Sequence, residues 1–361
     1  MKRLIVVGHD VAPCGGLSAI AKELEGRFDV TRFLANGKDI AKTEAALNSN
    51  EDVRRGDFSY LSEVMEACLC SDVIVTGCSS SDFLSREEAL AMRIAKMTGK
   101  PLVVYADTFK VYRAPWFEFA RNAVSLAFVQ SEDDCKDASG YFPNARVVVT
   151  GSPVIEAAFY PPTTRAEVNA RLGLSDDTRM VLVSTAKEFK ENEALLKPVL
   201  QAMRVLGQDY VLTVSSHPGD LNDKGSYQKW ADEAGVPMRL YEKGVISSQE
   251  LLPRADVVIT GGSAIAIEAA CQRIPVIDFL SEGFLKRMQE KKGTSEWERE
   301  EMGIARAVYD PEQIAGAIRG LLSIGGFDSM HRAQEKYYPH PTHKGEAAEK
   351  MAAEILSLLG S

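Results

Sequence analysis

The sequence predicts an α/β protein of two Rossmann-like, parallel-sheet domains facing each other across a cleft. Three observations carry this. Apolar strand runs alternate with helical periodicity almost throughout, the pattern of βαβ units. One unit occurs twice: an apolar strand, a small-residue loop, a helix and a Pro-led second strand, over 71–107 and again over 255–278. Between the halves, Pro161 and Pro162 fall in a turn-rich stretch, 151–164, where two consecutive prolines can neither continue a helix nor sit inside a sheet.

In the first half, strands are expected at 3–8, 28–34, 72–77, 101–106, 125–130 and 146–150, with helices at 16–25, 60–69, 85–98 and 115–122. The second half restarts at 179–185 and continues with strands at 210–215, 237–241, 256–260, 274–278 and 306–309. Its helices are expected near 191–205, 226–234, 247–252, 264–272, 311–322 and 344–359. This places an N-terminal domain at 1–160 and a C-terminal domain at 165–340. The amphipathic last helix, about 344–361, either caps the second domain or returns to the first. Continuous Val/Ile runs such as Val257-Val-Ile259 suit strands covered on both faces.

The chain of 361 residues is long enough for two domains with separate cores. With 42 Lys and Arg against 51 Asp and Glu, its net charge of −9 argues against nucleic acid as the main partner. Six cysteines form no Cys-x-x-Cys pair and look like reduced thiols, which with the absence of a signal-like N-terminus predicts a cytoplasmic protein. No stretch approaches the roughly 18 apolar residues of a membrane span. The run 284–292 reads as a solvated helix face, with peripheral membrane contact as the alternative.

Ligands of open α/β sheets bind beyond the carboxyl ends of the strands, so strand-end residues are the candidates. Glu268 stands out because the rest of its helix, 263–271, is small and apolar. A buried carboxylate without partners is expensive. Vicinal ribose hydroxyls would satisfy it, and so would a neighbouring backbone or basic group. Gly261, Gly262 and Ser263 precede that helix and could offer backbone N–H groups to a diphosphate, or could form only a tight turn.

His217 closes the strand 210–216, as a phosphate contact, a proton shuttle or a structural turn residue. Lys187 and Lys190 follow the strand at 179–185 and could neutralise a leaving diphosphate or simply be solvated. In the first half, the loop Gly8–Ser18 brings His9 and Asp10 just past a strand end. Its Gly15, Gly16 and Ser18 are placed on the acceptor side. Asp107 ends the strand at 102–106 near Lys110 and Arg113, as a base or an ion-paired carboxylate. No Gly-x-Gly-x-x-Gly, no P-loop and no Asp-x-Asp occurs, so a dinucleotide cofactor, a Walker-type phosphate site and a metal-bridged diphosphate are not expected.

These residues resemble the nucleotide-sugar enzymes of GT-B fold, the GT-B glycosyltransferases and the non-hydrolysing UDP-N-acetylglucosamine 2-epimerases. The resemblance runs through 148–156, the segment 184–192 ending in Glu191-Asn192, His217-Pro218, the strand, loop and Glu-bearing helix of 256–275, and the terminal helix from Lys344. It implies that Glu268 binds ribose, that Gly262 and Ser263 hold the diphosphate and that His217 lies by the donor. Two stretches depart from the epimerases: Lys187-Glu-Phe-Lys-Glu-Asn192 replaces a His-Arg-Arg-Glu-Asn run, and Asp107-Thr-Phe-Lys-Val replaces a Glu-Ala-Gly-Leu-Arg run.

The first functional expectation is therefore a metal-independent hexosyltransferase. It moves a sugar from a nucleotide-diphosphate donor to an unknown acceptor, with the nucleotide sugar as substrate and no cofactor. Catalytic roles fall to His9, Asp10, Asp107 and His217, and donor binding to Lys187, Lys190, Gly261, Gly262, Ser263 and Glu268. The alternatives are a UDP-sugar 2-epimerase or sugar-nucleotide hydrolase on the same scaffold, with Asp107 and His217 as acid/base pair, and a non-catalytic nucleotide-sugar binder.

Overall fold

The computed structural model describes residues 1–9, 11–34, 58–78, 86–217, 220, 224–241, 245–292 and 297–360. The described chain forms two compact units, Met1–Glu156 with Pro341–Ser361, and Ala157–His340. Each is built on a six-stranded sheet in which every strand pairs in parallel.

In the first unit the strands are β1 (Arg3–Gly8), β2 (Asp29–Leu34), β3 (Val73–Thr76), β4 (Leu102–Tyr105), β5 (Val124–Val129) and β6 (Arg146–Val149), in spatial order β2-β1-β3-β4-β5-β6. Side chains alternate across the sheet. Leu4, Val6, Val73, Val75 and Val103 face the helices Val11–Leu24 and Glu346–Leu358. Ile5, Val7, Ile74, Leu102 and Val104 face the opposite core, which includes Met92 and Ile94 of the helix Arg86–Thr98. Both faces are covered, so β1, β3 and β4 read as unbroken apolar runs. Each fully buried Val, Leu or Ile contributes about 1.5–3 kcal/mol.

The last helix, whose placement the sequence leaves open, belongs to the first unit, where Met351 and Ile355 pack into the core beside Leu17 and Ile20. Its N-terminus is closed by the buried Glu156, whose carboxylate accepts from the backbone N–H groups of Gly345 and, at 2.8 Å, Ala347. A carboxylate there satisfies orphan donors and the positive end of the helix together.

The expected N-terminal ligand loop is corrected by the helix Val11–Leu24, which begins almost directly after β1 and takes in Gly15, Gly16 and Ser18. These glycines serve packing rather than an acceptor loop. A Cβ on Gly16 would collide with the Tyr105 ring, and one on Gly15 would meet Val154 at 3.2 Å. The helix can therefore lie close over β4, whose Tyr105 hydroxyl shares a 2.6 Å hydrogen bond with Ser152 Oγ. Asp10 and the serines at 79–81 lie outside the described residues.

The second unit holds β7 (Arg179–Ser184), β8 (Tyr210–Ser215), β9 (Met238–Tyr241), β10 (Val257–Thr260), β11 (Val276–Phe279) and β12 (Arg306–Val308), ordered β12-β11-β10-β7-β8-β9. Val181, Val183, Leu212, Val214 and Ile259 meet the helices Phe189–Leu206 and Ile314–Leu321. Met180, Leu182, Val258 and Val276 meet Val168 of the helix Arg165–Leu172 and Ile265, Ala266 and Ala269 of the helix Ile265–Cys271. The stretch after Pro161-Pro162 starts a helix at once, because Thr164 and Glu167 close a reciprocal capping box.

Candidate functional site

In the second sheet the chain runs outward from β7 through β8 to β9 on one side, and from β10 through β11 to β12 on the other. The strand order reverses between β7 and β10, which makes their carboxyl ends the topological switch point where open α/β sheets bind ligands. A cavity of about 480 Å³ lies there, within the size range of small-molecule sites. Its sheet side is made by Ser184, Thr185, Ala186 and Lys187 after β7, His217 after β8, and Gly261, Gly262, Ser263 and Ala264 after β10. Glu188 and Glu191 lie on one wall, with Phe284, Arg287 and Met288 on the facing helix, Glu282–Lys292. The last three residues are spaced 0, 3 and 4 and so share one helix face.

The β7 end of the cavity is fixed by a buried polar hub. Asn192 accepts from the Ala186 N–H at 2.6 Å and donates to the Ala186 carbonyl at 3.0 Å and to the Tyr227 hydroxyl at 2.7 Å. Asp220 accepts from Thr185, Asn192 and Tyr227 and is ion-paired with Lys224 at 2.7 Å. The Thr185 hydroxyl in turn accepts the His217 backbone N–H at 2.8 Å. Bound on every side, this hub sets where Lys187 and His217 leave the sheet. Sequence reasoning picked out Lys187 and His217 but not Asp220, whose signal, a lone acid after Pro218-Gly219, is indistinct from a turn residue.

The β10 end is fixed differently. Gly262 has φ +95°, and a Cβ there would stand 2.6 Å from the Phe284 ring, so only glycine fits the loop. Thr260 Oγ1 accepts the Ser263 N–H at 2.6 Å, and Arg299 Nη1 donates to the Ser263 carbonyl at 2.8 Å. Arg299 is 5% exposed, lies over Trp297 and is paired at 3.4 Å with Asp278, which is fully buried. The Trp297 indole donates to the same Asp278 oxygen at 2.7 Å. The other oxygen, Oδ1, has no hydrogen-bond partner among the described residues. Burial pushes the Asp278 pKa up, against the pull of Arg299 and the Trp297 hydrogen bond.

Glu268 lies on the helix that follows this loop but is not among the residues lining the cavity. The expectation of a helix apolar on every side is corrected. Ile265, Ala266, Ala269, Ala270 and Cys271 are buried, while Ile267 and Glu268 form a half-buried edge. Glu268 Oε1 accepts from Gln249 Nε2 at 3.2 Å. Burial raises its pKa, and the neutral Gln249 amide only partly offsets this. Lys190 is exposed and is likewise not among the residues lining the cavity.

In the first unit the switch point lies between β1 and β3. His9 follows β1, is 8% exposed, and its Nδ1 lies 3.1 Å from Glu87 Oε2, while its backbone N–H donates to Glu88 Oε1 at 3.1 Å. Asp107 is half-buried two residues after β4. Its charge and that of Glu88 add to burial in raising the Cys78 pKa. The cationic neighbours expected beside Asp107 are drawn elsewhere. Arg113 makes two 2.7 Å bonds to Asp137, and the Lys110 ammonium sits over Phe109. Among the described residues no three His, Cys, Asp or Glu side chains are grouped as ligands for a metal ion. No described helix is long and apolar enough to cross a membrane.

Two parallel six-stranded sheets flanked by helices, one with a pocket at its switch point, define a GT-B-like two-domain α/β fold. Solved structures with this fold over the full chain length include UDP-N-acetylglucosamine 2-epimerases. That from Neisseria meningitidis, bound to UDP-GlcNAc, matches with a TM-score of 0.66 at 14% identity, covering 99% of this chain and 100% of its own. The one from Methanocaldococcus jannaschii matches with a TM-score of 0.62 at 16% identity, covering 99% of each chain. A Listeria monocytogenes protein provisionally classed as the same enzyme matches with a TM-score of 0.68 at 15% identity, covering 100% and 97%. No protein-family model and no protein of curated function matches the sequence. The expectation of glycosyl transfer to an acceptor is corrected by these relatives, which favour the epimerase alternative.

Proposed function

We propose that this protein binds a UDP-sugar in the second-domain cavity and inverts the sugar at C2, the reaction of a UDP-N-acetylglucosamine 2-epimerase. The observation that carries the reading is the gathering of Lys187, His217, Arg287 and the Gly261–Ser263 loop around one cavity at the switch point. The full-length likeness to UDP-GlcNAc 2-epimerases supports it.

The C2 hydrogen of such a sugar is not acidic, but C2 adjoins the anomeric carbon that carries the diphosphate. It becomes removable when the C1–O bond breaks and the nucleoside diphosphate leaves as an anion. Returning the proton to the other face of C2 and the diphosphate to C1 restores every atom with C2 inverted. The cycle is redox-neutral, so the proposal calls for no nicotinamide and no other cofactor.

Its first demand is a stabilised leaving anion, for which Lys187, Arg287 and the N–H groups of Gly261 and Gly262 are suited, the Ser263 N–H being taken by Thr260. Its second is proton transfer. His217 is assigned to protonate the departing diphosphate and to take that proton back as the diphosphate returns to C1. Glu268 is assigned the ribose hydroxyls, with Gln249 on one of its oxygens. A cytoplasmic setting remains part of the proposal, in keeping with six free cysteines.

The test is product analysis after incubation with UDP-GlcNAc alone. The C2 epimer in equilibrium with substrate is the expected result. Free UDP and sugar without epimer would identify a hydrolase, and binding without turnover a nucleotide-sugar binder; either contradicts the proposal.

A further inference from the structure

We infer that Arg287 is a diphosphate-binding residue held in reserve by Glu191, in an ion pair that opens when a nucleoside diphosphate enters the cavity. The inference rests on the UDP-sugar reading of that cavity.

Arg287 Nη2 lies 2.6 Å from Glu191 Oε1, and both residues line the cavity, one from the helix Glu282–Lys292 and one from the first turn of the helix Phe189–Leu206. Among the described residues, the ion pairs of Arg299, Lys224 and Arg287 in and around the cavity differ in character. Arg299 is committed to the Ser263 carbonyl and to the fully buried Asp278. Lys224 is committed to Asp220, whose side chain is fully buried. Withdrawing either cation would strand a buried carboxylate, so neither pair is free to exchange partners. The Arg287 and Glu191 side chains are 38% and 26% exposed. A pair that solvated is weak and salt-screened, and Glu191 can be rehydrated when it is released.

A diphosphate offers the guanidinium a better partner than Glu191 does. Its adjacent oxygens accept the planar fork in bidentate fashion with twice the charge, and the ion is larger and more diffuse than a carboxylate. The guanidinium also lies 5.9 Å from the Phe284 ring centroid, which keeps the Arg287 stem along the cavity wall while its partner changes. The pair neutralises both charges on the cavity wall. It also shields incoming phosphate from Glu191, which like Glu188 would repel it. The exchange makes the site answer to the diphosphate rather than to the nucleoside.

The experiment is calorimetric titration of UDP and of uridine into the wild type and into Arg287→Gln, Arg287→Lys and Glu191→Gln, with thermal melts to confirm that each variant is folded. Arg287→Gln is expected to weaken UDP binding about tenfold or more while uridine affinity stays within about twofold of wild type. Arg287→Lys should fall between, because a point charge replaces the fork. Glu191→Gln should tighten UDP binding about threefold. Equal UDP affinity in the wild type and Arg287→Gln overturns the role of Arg287 and leaves the UDP-sugar reading standing. Weaker UDP binding in Glu191→Gln overturns the reserve. If neither UDP nor uridine binds the wild type, the reading of the cavity falls and the inference with it.

Discussion

Arg299 holds the carbonyl of Ser263 at 2.8 Å from below the candidate nucleotide loop, and is itself held by the fully buried Asp278. A loop of glycine and serine has little side-chain packing of its own, so its backbone needs an external anchor. Turning one carbonyl toward Arg299 fixes the direction of the neighbouring peptides.

Truncating Arg299 to alanine should therefore destabilise the protein by about 3–5 kcal/mol, because it strands the Asp278 charge in the interior. Urea denaturation measures this. The double variant Asp278→Asn/Arg299→Gln should recover much of that stability but not the nucleotide affinity, since the grip on the Ser263 carbonyl is changed. Equal recovery of both would show that the pair serves stability alone.

Gly262→Ala should cost about 2 kcal/mol or more. A β-carbon at φ +95° is strained in any surroundings, and here it also collides with Phe284. Phe284→Leu in the same chain should relieve the collision but not the strain, so only part of the stability and UDP binding returns. Denaturation midpoints and calorimetry on Gly262→Ala, Phe284→Leu and the double variant separate the two contributions.

Glu268 gives a pH signature. Its pKa in the folded protein is raised by burial, so only above that raised value is it ionised and able to accept from ribose hydroxyls. UDP affinity should fall as pH drops through the window just above the ordinary carboxylate range, and 2′-deoxy-UDP should show a shallower fall. For folding the sign is opposite. The native state binds the proton more tightly than the unfolded chain, so the unliganded protein should gain stability as pH falls through the same window. Glu268→Gln should flatten both profiles and weaken UDP binding by about 1.5–3 kcal/mol. Unaltered UDP binding in a folded Glu268→Gln variant removes the ribose assignment.

Glu156→Gln should loosen the last helix. The substitution removes the charge that closes its N-terminus at Gly345 and Ala347, with an expected loss of about 1–2 kcal/mol. Hydrogen exchange should show faster exchange in 346–358, with little change in the second unit.

Both sheets were legible from the sequence because strands buried on both faces read as unbroken Val and Ile runs, as in Val257-Val-Ile259. The loop residues Lys187, His217 and Gly261–Ser263 were legible as strand ends, since strand ends line the switch point. The helix Val11–Leu24 was half missed because Gly15 and Gly16 look like a flexible loop. Only the Tyr105 ring, far away in sequence, shows that they are close-packing positions. The helix Arg165–Leu172 escaped notice although its capping box, Thr164 with Glu167, is written in the sequence. Asp278 and Arg299 could not be found from spacing, because a buried acid at a strand end and an arginine 21 positions later meet only through the fold. Arg287 was read as part of a solvated basic run, a reading that its exposure alone would support but its place on the cavity wall does not.

The most direct measurement of the proposed chemistry is proton NMR of UDP-GlcNAc incubated with the protein in deuterium oxide. Loss of the C2 proton signal, with deuterium appearing at C2 in both substrate and epimer, is the expected result. Persistence of that proton through complete consumption of UDP-GlcNAc, or in UDP-GlcNAc that binds without change, would contradict C2 inversion as the function of this protein.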